Sequence, residues 1–108
     1  MLSSASVTAN IPAADLARAR SFYADSLGLT PATEVGDAGM LIYRTDGGTV
    51  FSVYQTDYAG QAGHTIAQFH VDDVEGEARA LQGKGVALET YDMPGFTWDD
   101  GVMPSLSA

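Results

Sequence analysis

Hydrophobic and polar positions alternate at first, then recur at helical spacing, and the whole pattern is then repeated. Val7, Ala9 and Ile11 alternate with Thr8, Asn10 and Pro12, the period-two mark of a strand with one buried face. Pro12 is expected to end that strand. Leu16, Ala19, Phe22, Tyr23 and Leu27 follow at helical spacing and form one apolar stripe. Asp15 stands where an N-cap carboxylate accepts from exposed first-turn amides, and Gly28 where a left-handed cap closes the helix. Strands are predicted over residues 32–35, 40–45 and 49–55. Gly36-Asp37 and Asp46-Gly47-Gly48 are the turn signals between them.

A polar, glycine-containing connection over residues 57–63 leads into the second statement of the pattern. Thr65, Ala67, Phe69 and Val71 alternate with His64, Ile66, Gln68 and His70. Asp72-Asp73 then caps a helix whose stripe is Val74, Ala78 and Leu81, ended by Gly83 and Gly85. Residues 86–91 are a sixth predicted strand, and residues 94–101 a loop rich in turn formers and aromatics. Asp15 answers to Asp73, Thr8 to Ile66, Ile11 to Phe69 and Leu16 to Val74, an offset expected of a duplicated unit. The parity of the strands fixes faces. Ala67, Phe69 and Val71 belong beneath the second helix, and Thr8, Asn10, Ser52, Tyr54, Gln68 and His70 on the side away from both helices.

Composition narrows the class. The 108 residues, 45% of them hydrophobic, suffice for one globular domain with a real core. Five basic against fourteen acidic residues give a formal charge of −9, which argues against nucleic acid as a partner. An acidic surface of this kind is compatible with a cationic small ligand, but a merely soluble acidic surface is the favoured reading. There is no cysteine, so neither a disulfide framework nor thiolate chemistry is expected. The first eleven residues lack the basic start and apolar run of a signal peptide. No segment approaches the ~20 apolar residues of a membrane span, so a cytoplasmic protein without a membrane partner is expected.

Asp15-Leu16-Ala17-Arg18-Ala19-Arg20-Ser21-Phe22-Tyr23 with Leu27-Gly28-Leu29 resembles the first-helix signature of the vicinal oxygen chelate superfamily. That group takes in glyoxalase I, bleomycin- and fosfomycin-resistance proteins and extradiol dioxygenases. Phe69-His70-Val71-Asp72-Asp73-Val74, with Leu81 and Gly85-Val86, resembles its second module. Tyr91-Asp92-Met93-Pro94-Gly95 and Asp100-Gly101-Val102 resemble a loop of its small glyoxalase-like members. The resemblance implies an α+β fold of paired βαβββ modules, the first at residues 1–57 and an incomplete second at residues 64–108, within a single domain. It also implies metal ligands at four strand positions. The first and third fall on Thr8 and Ile66, the second near Ser52 or Tyr54, and the fourth on a final strand this sequence does not reach. Isoleucine cannot bind a metal and threonine is a poor ligand for the divalent ions concerned, so no metal and no cofactor are expected.

His64 and His70 do not restore a metal site. Six residues apart on one strand they would stand ~20 Å apart at ~3.3 Å per residue, whereas ligands to one zinc ion lie ~2.0–2.3 Å from it. His70, facing inward, is either a pocket proton donor or a hydrogen-bonded wall residue. Phe96 and Trp98 either close over a ligand or anchor their loop to the sheet. Asp72-Asp73 is a helix cap rather than a catalytic pair, because its counterpart at Asp15 lacks a second carboxylate. Ser52 and His70 share a face without any group to orient the histidine, which is not a nucleophilic triad.

The reading these observations favour is metal-independent binding of a small organic ligand in a cleft between the modules. The ligand-binding set is Thr8, Asn10, Ser52, Tyr54, Gln68, His70 and Trp98. Two other readings stay open: a metal-dependent lyase, isomerase or dioxygenase of the same superfamily, and a truncated non-catalytic paralogue. An open sheet edge in a short second module predicts a homodimer.

Overall fold

The computed structural model describes residues 1–89 and 101–102. The chain divides into two compact units, Met1–Gln68 and Phe69–Ala108, and the boundary falls inside the stretch expected to be the fifth strand.

The first unit carries out the βαβββ order expected of it. After a short 3-10 turn at Leu2–Ser4, β1 (Ala9–Ala13) leads to α1 (Leu16–Asp25), then β2 (Thr33–Val35), β3 (Met40–Arg44) and β4 (Val50–Gln55). The four strands form one sheet in the order β1-β4-β3-β2. β1 lies parallel to β4, while the other two pairings are antiparallel. The β3–β4 hairpin closes as its Asp-Gly-Gly signal requires, with Gly48 at φ +88 and the Thr45 and Thr49 hydroxyls 2.8 Å apart across the turn.

Leu27 of the expected stripe lies beyond the end of α1, β2 to β4 each differ by one residue at one end, and both ends of β1 differ from expectation. β1 begins at Ala9, where its ladder with Phe51 begins, leaving Val7 and Thr8 exposed outside the sheet. Pro12 does not end β1 but pairs with Tyr54 inside it. β1 is an edge strand, so an edge position tolerates the missing proline N–H.

Asp15 caps α1 as predicted, its carboxylate accepting from the Arg18 N–H at 3.2 Å. The helix ends at Asp25, and Gly28 at φ +71 lets the Leu29 N–H reach back to the Tyr23 carbonyl at 2.8 Å. Leu16, Ala19 and Tyr23, with Ile11, Ala13 and Leu29, pack on the buried Leu41, Tyr43, Phe51 and Val53. Phe22 leaves the expected stripe and is 43% exposed. One position before Tyr23, it falls on the flank of the helix and meets the Tyr23 ring edge-on. Tyr43 stacks between Tyr23 and Phe51, with ring centroids 5.0 and 5.1 Å away.

In the second unit, α2 (Val74–Gly83) starts at Asp73, whose carboxylate accepts from the Gly76 N–H at 3.0 Å. The twin aspartates therefore do the same work. Residues 65–71 do not form the expected strand, and Phe69 (53% exposed) and Val71 (41%) are not covered by a helix. A strand needs a neighbour to take its backbone hydrogen bonds, and the sheet formed by the described residues consists of β1 to β4. The expected sixth strand is absent from residues 86–89, and its last two residues lie outside the described ones. Near that stretch Gly101 has φ +86, and a Cβ there would come within 2.7 Å of the Leu88 Cβ.

Candidate functional site

Register assigns the two faces of the four-stranded sheet. Residues opposite one another in a ladder share a face, and neighbours along a strand alternate. The face beneath α1 carries Ile11, Ala13, Leu41, Tyr43, Phe51 and Val53. Glu34, paired with Leu41, is on that side too, and forms an ion pair with Arg20 of α1.

The other face, which carries no α-helix of the first unit, is called the open face. Asn10 and Pro12 from β1, Ser52 and Tyr54 from β4, Met40, Ile42 and Arg44 from β3, and Thr33 and Val35 from β2 all share it. Ser52 is only 2% exposed, a small side chain seated between the paired Asn10 and Ile42. Its hydroxyl donates to the Asn10 side-chain oxygen. That leaves the Asn10 amide N–H groups available as donors, since a primary amide has two donors beside its carbonyl.

Three of the seven predicted site residues, Asn10, Ser52 and Tyr54, are thus brought together on one surface. Thr8 lies just before β1, exposed and outside the ladder. Gln68 and His70 are exposed and sit on no strand. Trp98 lies outside the described residues. The face is also less polar than the sequence suggested: Met40 and Ile42 are half-buried on it, with Val35 beside them. Arg44 was the member missed. It shares the parity of Met40 and Ile42, and that alternation within β3 was the signal for it.

The donor set on this face consists of hydroxyls, an amide and a guanidinium, without carboxylate or imidazole. Such a set does not fit a divalent ion of the kind held by nitrogen, sulfur or carboxylate oxygen. Among the described residues no three histidine, aspartate or glutamate side chains gather in a way that would hold a metal. Because residues 65–71 are not a strand, the fixed spacing that separated His64 from His70 in an extended chain no longer applies.

Two tyrosines are perturbed, both in the core. Burial pushes the Tyr23 phenol above its ordinary value. Burial also raises that of Tyr43, helped by Tyr23, while the Arg20 charge works the other way. The Tyr43 hydroxyl has no hydrogen-bond partner among the described residues. A shallow hollow of about 340 Å³ lies along α1, lined by Ala13, Asp15, Arg18, Phe22 and Tyr23 among others. It contains none of the predicted ligand-binding residues.

With this geometry, the family model described as Glyoxalase/Bleomycin resistance protein/Dioxygenase superfamily matches residues 5–96. The chain belongs to that superfamily, the vicinal oxygen chelate group. No curated protein and no solved structure matches it. No helix among the described residues is long and apolar enough to cross a membrane.

Proposed function

We propose that the protein binds a small organic ligand on the open face of the first-unit sheet without using a metal, as a cytoplasmic homodimer. The observation that carries this reading is the composition of that face. Half-buried Met40 and Ile42 offer apolar contact, while the Asn10 amide, whose oxygen takes the hydroxyl of the buried Ser52, and the Tyr54 phenol offer polar groups beside them. A mostly apolar lining with a small number of placed polar groups is one mark of ligand sites. The family membership adds weight, because the superfamily contains drug-binding resistance proteins as well as metal enzymes. The cytoplasmic part of the reading rests on the sequence expectation alone.

The test is a thermal-shift screen of a small-molecule library against chelator-treated protein and its Asn10→Ala and Tyr54→Phe variants. Hits that raise the melting temperature of the unsubstituted protein and lose that effect in either variant are expected. Hits that appear only when zinc, nickel, manganese or iron is restored would favour the metal-dependent enzyme reading instead.

A further inference from the structure

We infer that the ligand of the open face has an apolar body and an anionic oxygen terminus, a carboxylate or similar oxyacid, even though the protein as a whole is strongly acidic. The inference deepens the proposed function and rests on the open face being the binding surface.

The charges of this sheet are sorted by face. Glu34 is turned to the α1 side, where Arg20 neutralises it. On the open face the strands contribute one charged side chain, Arg44, which is exposed and makes no ion pair among the described residues. Arg44 pairs with Val50, two residues along β4 from Ser52, and diagonal cross-strand neighbours lie ~7–8 Å apart, within reach of a long side chain.

The uncharged polar groups point to the same kind of ligand. The Asn10 oxygen is already engaged by Ser52, so this amide presents donors to anything resting on the face. Tyr54 adds a phenol whose hydroxyl can also donate. By register, Arg44 and then the Asn10 row lie toward one end of the face, and Met40 with Val35, Pro12 and the Tyr54 ring toward the other, which matches a molecule that presents acceptors at one end and hydrocarbon at the other. A cationic ligand would meet Arg44 with like charge and find no carboxylate among the strand side chains of this face. The net charge of −9 does not reverse this, because exposed charges beyond ~8 Å are largely screened at physiological salt. A contact with Arg44 is governed by the local charge.

A matched probe set separates the possibilities: phenylbutyrate, phenylbutyramide and phenylbutylamine, each titrated into isotope-labelled, chelator-treated protein of the 108 residues. Backbone amide shifts at Asn10, Ile42 and Ser52 report the site. Phenylbutyrate should bind most tightly, and Arg44→Gln should weaken it by about fivefold, the upper range for an exposed ion pair, while leaving phenylbutyramide unchanged. Arg44→Lys should retain most of the preference. If the amine or the amide binds the face best, or Arg44→Gln weakens all three alike, the anionic assignment is wrong and the face remains a binding site. If none of the three perturbs those amides and the library screen of the open face is also empty, the binding reading fails together with it.

Discussion

Tyr43 is the residue on which core packing and polar satisfaction disagree. Its ring is fully buried and stacked between two aromatics, yet its hydroxyl lacks a partner among the described residues. A buried hydroxyl left unpaired costs ~1–3 kcal/mol, while the ring supplies apolar contact that phenylalanine would keep. Tyr43→Phe should therefore leave stability unchanged or raise it by about 1 kcal/mol, as read from urea unfolding at neutral pH. The raised phenols of Tyr23 and Tyr43 add a pH signature. Both favour the neutral form in the folded state, so their contribution is complete below the unfolded value of about 10 and is lost as pH rises past it. Alkaline unfolding should begin above about pH 10, and Tyr43→Phe should move that transition upward. An unchanged alkaline transition would show that Tyr43 does not drive it.

At the scale of elements, local signals were legible and pairings over distance were not. Asp15 and Asp73 were recognisable as caps because the signal needs only an acidic residue ahead of an apolar stripe, and both cap as expected. Either aspartate replaced by alanine should cost ~1 kcal/mol, measurable by thermal or urea unfolding, and a cost near zero at both would show that the caps do not hold the helices. The β3–β4 turn was equally legible in Asp46-Gly47-Gly48. Pro12 was misjudged because its effect depends on strand position: a proline that would interrupt a central strand is accommodated in β1 at the sheet edge. Residues 65–71 have the side-chain alternation of a strand, but alternation alone does not place a stretch in a sheet. Arg44 could have been placed by the parity it shares with Met40 and Ile42 in β3, but a charged residue beside two apolar ones does not by its type announce a place on the same face.

For the whole molecule, the fold class and the superfamily were legible in the order of elements and in the two helix signatures, whereas the ligand-binding set was legible only where the sheet fixes it. Asn10, Ser52 and Tyr54 come together because one ladder holds them; Gln68 and His70 lie in no strand among the described residues. The sheet of the first unit has β1 and β2 at its edges, and edge strands carry backbone groups that proteins pair or cover. The proposed homodimer predicts a light-scattering mass about twice the 11.3 kDa of the chain at micromolar concentration, and a mass of one chain would refute it. The central claim, ligand binding at the open face without a metal, is tested most directly by mapping a library hit on chelator-treated protein through its backbone amide shifts. The account predicts that the perturbed residues cluster at Asn10, Ile42, Ser52 and Tyr54. Perturbations confined to the α1 hollow around Asp15, Arg18 and Phe22, or appearing only after a divalent metal is added back, would contradict it.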